Sequence, residues 1–203
     1  MRLSSFLLLT LLGTSSALAQ PVVNEVLASN ATTLADPDFG EFGDWIELHN
    51  PDALPVDLGG YFLTDDLDEP TRWRVPDGTV VAPGGFLVVW ADDQDAAPPA
   101  TTALHTDFKL SSGGEQVGLF DPSGVAVDTL SYGDQTTDVS YGRVPGGSGA
   151  WAFFAAPTPG AGWGSAPGRP AGPPRPAWKR FGAGRQNLLV QQGFWNARSP
   201  PRP

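Results

Sequence analysis

Between residues 22 and 144 the apolar positions come in short runs, mostly β-branched or aromatic, each closed by turn-forming residues. The runs fall at 22–29, 44–50, 61–64, 71–75, 79–81, 86–91, 115–121, 125–132 and 139–144. Several alternate with a period of two. In Trp45-Ile46-Glu47-Leu48-His49, Ile46 and Leu48 share one side, while Trp45, Glu47 and His49 share the other. In 115–119, Val117 and Leu119 point together. Such alternation predicts half-buried antiparallel strands. The connections carry turn chemistry, because Pro fixes φ and Gly frees it in Pro76-Asp77-Gly78 and Pro83-Gly84-Gly85. Asp121-Pro122-Ser123-Gly124 reads as a hairpin turn. No window keeps a helical period, and no segment repeats. Short strands at this spacing predict an all-β sandwich or barrel. The stretch 91–107, with Ala96-Ala97-Pro98-Pro99-Ala100 inside it, is expected to be a surface loop. The domain is expected to end near Pro157-Thr158-Pro159-Gly160, where Pro blocks further ladder bonding.

Composition agrees with this punctuation. The 203 residues include 25 Gly and 21 Pro, and the 40% hydrophobic content, with 7 Trp and 11 Phe, suffices for a core. Charge is more informative, because it is unevenly distributed. All 22 acidic residues lie between Glu25 and Asp138, and over 20–164 only Arg72, Arg74, Lys109 and Arg143 oppose them. Beyond Gly164 the charges are all basic, from Arg169 to Arg202. An acidic domain repels nucleic-acid phosphates, so nucleic acid is excluded as a partner. The absence of Cys excludes disulfides, thiolate metal sites and Cys nucleophiles.

Residues 1–19 have the layout of a secretory signal peptide. Arg2 gives a positive start, Phe6-Leu7-Leu8-Leu9-Thr10-Leu11-Leu12 forms an apolar stretch, and Ala17-Leu18-Ala19 offers a small-x-small cleavage site. The apolar run is short for a membrane span, and no later segment approaches the roughly 18 apolar residues one needs. Export, to the periplasm or beyond, is the expectation.

The ordered motifs resemble a known family. Asn24-Glu25-Val26-Leu27-Ala28-Ser29-Asn30 followed by Gly43-Asp44-Trp45-Ile46-Glu47-Leu48-His49-Asn50 is similar to the opening of a bacterial lamin-tail domain. The same order continues through Pro55-Val56-Asp57-Leu58-Gly59-Gly60-Tyr61-Phe62-Leu63-Thr64-Asp65-Asp66, Trp73-Arg74-Val75-Pro76 and Pro83-Gly84-Gly85-Phe86-Leu87-Val88-Val89-Trp90-Ala91. Phe108-Lys109-Leu110-Ser111-Ser112-Gly113-Gly114-Glu115, Ser140-Tyr141-Gly142-Arg143 and Pro157-Thr158-Pro159-Gly160 complete it. The resemblance implies an immunoglobulin-like β-sandwich over 20–164 and an exported, non-catalytic interaction or tethering module. Its partner would be another envelope or extracellular protein or a polymer. An accessory domain of an exported hydrolase is the alternative the resemblance leaves open, since fold alone does not give function.

The residues themselves allow some structural readings. Trp45 and Trp90 suit burial, each with an indole N–H needing a partner. Asp44 and Asn50 suit backbone caps, Asp57 the turn that follows it, and Glu47 a buried acceptor for Arg72 or Arg74. His49 is expected on an outward strand face and His105 in a loop. No nucleophile elbow, His-Glu-x-x-His helix, Walker loop or dinucleotide fingerprint occurs, so no enzyme is expected. Three acidic clusters remain: Asp36, Asp38, Glu41 and Asp44; Asp65, Asp66, Asp68 and Glu69; and Asp92, Asp93 and Asp95. Hard cations take several oxygen ligands at about 2.4 Å, which makes Asp36, Asp38, Glu41, Asp65, Asp66 and Asp68 candidate Ca²⁺ ligands in a Ca²⁺-dependent structural or adhesion domain. None has EF-hand spacing, and a solvated acidic surface is the plainer reading. The sequon Asn30-Ala31-Thr32 reads as chance.

Residues 165–203 differ in kind. They are Pro-, Gly- and Arg-rich, with too little apolar surface to offset chain entropy, and are expected to be a disordered tail. A basic arm, an inert linker and the product of a shifted reading frame all fit that composition.

Overall fold

The computed structural model describes residues 20–94 and 103–162. The expected leader and tail, and Asp95 of the third acidic cluster, lie outside the described residues. Twelve strands are found among the described residues: β1 (Val22–Leu27), β2 (Asp44–His49), β3 (Val56–Asp57), β4 (Phe62–Thr64), β5 (Trp73–Arg74), β6 (Val80–Val81), β7 (Phe86–Ala91), β8 (Leu104–His105), β9 (Glu115–Phe120), β10 (Ala126–Tyr132), β11 (Ser140–Val144) and β12 (Ala150–Phe154). No helix occurs among them. The fold is all-β, as the alternation predicts.

A six-stranded sheet in the order β12-β11-β1-β2-β7-β8 stacks on a four-stranded sheet, β10-β9-β4-β5, with a small β3-β6 ribbon beside them. Every pairing is antiparallel except β7 with β8. Between the sheets lies one core built from Val23, Val26, Ile46, Leu48 and Val89 on one side and Leu63, Trp73, Val117, Leu119 and Leu130 on the other. The turns form as their chemistry requires. Asp121 Oδ1 accepts from the backbone N–H of Ser123 and Val125, at 2.8 and 2.9 Å, and Gly124 takes a left-handed φ of 80°. Asp57 Oδ1 accepts from Gly59 N at 2.8 Å, and Asn50 caps with its carbonyl to Asp52 N and its amide to Leu54, Val81 and Ala82 carbonyls.

At β2 the structure bears out the expected burial of Trp45 and Glu47 but not the half-buried strand that alternation predicts. That strand is central, and both of its faces are covered. Trp45 and Glu47 are as fully buried as Ile46 and Leu48. The second face is roofed by the loop after β1 and by the segment after β12. Leu34 and Ala103 pack there on Leu27, Trp45 and Trp90, and Thr158 and Gly160 bond to the two glutamates of that face. A polar residue on a central strand is thus no sign of solvent when loops return over the sheet. Two further differences follow. Glu47 does not meet Arg72 or Arg74; Arg72 pairs with Asp65 and Arg74 with Asp77. The Trp45 indole N–H is buried without a hydrogen-bond partner.

Candidate functional site

Two buried polar clusters sit on that roofed face. The first joins β1 to β2. Glu25 and Glu47 are register partners, and both are completely buried. Glu25 accepts from Ser140 Oγ (2.5 Å), Thr158 N (2.9 Å) and Thr158 Oγ1 (2.5 Å). Glu47 accepts from Asn24 Nδ2 at 2.8 Å and from Gly160 N. The Asn24 carbonyl oxygen in turn accepts from Gly147 N at 2.7 Å. The Pro157-Thr158-Pro159-Gly160 motif is therefore a clasp, fastened to the sheet by two carboxylates. Burial raises both glutamate pKa values, Glu47 well above the ordinary range, and the Glu25 charge pushes Glu47 up further.

The second cluster lies at the other end of β2. The loop after β1 is shaped by Asn30, whose amide donates to the carbonyls of Leu34 and Gly43 at 2.7 and 2.8 Å. A glycan on that amide would remove one of its two N–H donors and with it one of these bonds. A tight turn follows, in which Asp36 N donates to Glu41 O and Asp38 N donates to Asp36 Oδ1. This places Asp36 beside Asp92, just past the end of β7, and His105 on β8. His105 is expected in a loop, but it lies in a short strand paired in parallel with β7 opposite Trp90, and it is 4% exposed. The 91–107 stretch is thus only partly loop.

His105 Nδ1 stands 3.0 Å from Asp92 Oδ2 and 3.7 Å from Asp36 Oδ2, and its Nε2 stands 3.4 Å from Asp38 Oδ2. Phe39 closes one side of the ring edge-on, at 5.2 Å. Asp38 Oδ2 also accepts from Ala103 N at 2.9 Å. Burial works against the imidazolium. The hydrogen bond and charge of Asp92, together with Asp38 and Asp36, outweigh it and hold the His105 pKa above its ordinary value. Burial likewise raises Asp92. Asp92 also lines a cleft of about 250 Å³ with Glu41, Phe42, Asp44, Gln94 and Lys109. Asp44, largely desolvated there, has its pKa raised to about 6.

Of the sequence candidates, Asp36 and Asp38 enter this cluster. Glu41 contributes its backbone carbonyl to the turn and lines the cleft. Asp65 pairs with Arg72 at 2.5 Å, Asp66 Oδ1 accepts from Asp68 N at 2.9 Å, and these residues cap the turn after β4. Among the described residues, Asp36, Asp92 and His105 form the group that brings three metal-capable atoms within 4.8 Å of one another. Asp92 and His105 stand apart from Asp36 in sequence with no motif spacing, so nothing in the chain order signals their meeting. His49 lies half-buried at the end of β2, stacked on Phe86 at 4.3 Å with Nδ1 3.0 Å from Gly85 O.

A two-sheet, wholly β domain with roofing loops defines an immunoglobulin-like sandwich. Residues 14–134 match the Lamin Tail Domain family, and the chain belongs to it. The domains of that family are immunoglobulin-like and are not known as catalysts. The six-stranded sheet continues beyond the matched span, through β11 and β12. No curated protein matches the chain.

Proposed function

We propose that this protein is an exported, non-catalytic lamin-tail domain that works as an interaction or tethering module at the cell envelope or outside the cell. The observation that carries the reading is how its buried polar groups are used. Glu25, Glu47, Asn24 and Asn50 all hold backbone segments in place, His49 is bonded to Gly85 and stacked on Phe86, and His105 sits among three carboxylates. Such an arrangement builds a rigid frame that displays loops, which is what a binding module needs. Among the described residues no helix is long and apolar enough to cross a membrane. The leader-like segment ending at Ala19 supports export, and because β1 begins at Val22, cleavage after Ala19 would leave every strand of the described residues whole. The acidic surface favours basic or cationic partners over nucleic acid.

Expression in a bacterial host, fractionation and intact-mass measurement test this reading. The expected result is a chain starting at Gln20 outside the cytoplasm, which cross-links to an envelope or extracellular partner in a salt-sensitive manner. An uncleaved chain retained in the cytoplasm overturns it.

A further inference from the structure

We propose that Asp36, Asp92 and His105 form a binding site for a divalent transition ion of the Zn²⁺ class. The chemistry of the donors selects the ion. One imidazole nitrogen and two carboxylate oxygens suit Zn²⁺, whereas Ca²⁺ takes six to eight oxygens and shuns imidazole. The spacing is suitable as well. Ligand atoms around a tetrahedral Zn²⁺ stand about 3.4 Å apart, and here His105 Nδ1 lies 3.0 and 3.7 Å from the two carboxylates, with all three ligand atoms within 4.8 Å of each other.

Two independent features point to a cation as the ligand of this cluster. Asp36 is 2% exposed, and its Oδ2 accepts no hydrogen bond although it faces His105. Asp92 Oδ1 is buried and equally unpartnered. Buried carboxylate oxygens are rarely left in this state, because desolvation without compensation is costly. Among the described residues, Asp36 and Asp92 both face the single Nδ1, so one charged ring leaves this pair with an excess of negative charge.

Asp38 gives the site its orientation. Its Oδ2 lies 3.4 Å from Nε2, which holds a proton on Nε2 and so reserves Nδ1, the nitrogen that faces Asp36 and Asp92, for the ion. A carboxylate behind a metal-bound histidine plays this positioning role in many zinc sites. In the charged ring Nδ1 also carries a proton and donates it to Asp92, and that proton would leave to solvent as the ion enters. The fourth coordination position would be filled by water.

The test uses the full chain, stripped with chelator and titrated separately with Zn²⁺ and Ca²⁺ by calorimetry and thermal melting. The expected result is one Zn²⁺ per chain with a rise in melting temperature, and no comparable response to millimolar Ca²⁺. Asp36→Asn should abolish saturable Zn²⁺ binding while keeping the metal-free fold, since the oxygen it alters accepts nothing. Asp38→Asn should weaken binding by about 10–100-fold without abolishing it. On the unmodified chain, ¹⁵N NMR should show Zn²⁺ shifting Nδ1 of His105, with His49 unmoved. Absence of Zn²⁺ binding, binding unchanged in Asp36→Asn, or a shift at His49 instead of His105 would each overturn the proposal.

Discussion

Glu25 and Glu47 face each other across β1 and β2, both wholly buried, and no ion pair reaches either among the described residues. Two like carboxylates out of water cannot both stay ionised cheaply, so the pair retains protons above the ordinary glutamate range. Its hydrogen-bond donors come from three places in the chain: Asn24, Ser140 and the 158–160 clasp.

The first prediction concerns pH. Glu25, Glu47, Asp44 and Glu115 all have raised pKa values in the folded chain. The folded state therefore binds more protons than the unfolded one above the ordinary carboxylate values, and stability falls as pH rises through that window, which for Asp44 runs from 3.8 to about 6. Asp121 and Asp138 act oppositely; their lowered values stabilise above 3.8 and that support is lost as pH falls. The two histidines pull against each other, since His49 is lowered by burial and His105 is raised. Melts in chelator should show greatest stability at about pH 4–5 and a decline toward neutrality. A maximum at neutral pH would contradict the assignment.

Glu47→Gln should flatten that decline. The amide is neutral at every pH and removes the repulsion on Glu25, while its carbonyl can still accept one of the two bonds Glu47 makes. The change in slope of melting temperature against pH is the measurement, and an unchanged slope would exclude Glu47 as a source.

Thr158→Val tests the clasp. It keeps the shape of the side chain but removes the Oγ1 bond, leaving Glu25 Oε2 buried and short of a donor. The expected cost is about 1–3 kcal/mol, with faster amide exchange at Thr158 and Gly160. Protection unchanged at those amides would mean that the clasp does not depend on Glu25.

Gly142→Ala should destabilise by about 1–3 kcal/mol through overpacking. A Cβ there would lie 2.6 Å from the Phe154 ring and 3.0 Å from Glu25 Cγ. The glycine of Ser140-Tyr141-Gly142-Arg143 is thus required by close approach between β11, β12 and β1. Chemical denaturation is the check, and a neutral effect would mean that β12 can shift outward.

Arg143→Lys should also cost stability, by about 1–2 kcal/mol. Arg143 makes two bonds to Asp128 at 2.9 and 3.0 Å and a third to Val23 O at 2.9 Å, and lies over the Trp151 ring at 4.7 Å. A lysine can reach only part of this fork. Equal denaturation midpoints for the two chains would show that the fork contributes nothing.

Much of the fold is local and was legible in the chain. Alternation located nine of the strands to within a few residues, and Asp, Gly and Pro located the turns, because these signals depend only on a residue's own φ, ψ and nearest neighbours. The missed strands, β3, β8 and β12, are short or lack apolar-polar alternation, and β8 exists only through its parallel pairing with β7. What the tertiary structure alone decided is which partners the buried polar residues meet. Glu47 is readable as a buried acceptor, but its partners are Asn24 and the returning Gly160 rather than an arginine, because loops fold back over its face. Asp36, Asp92 and His105 carry no common spacing and meet because one loop folds onto a strand end beside an added strand. Contacts of that kind are set by register and loop closure across long separations, and no short window of sequence contains them.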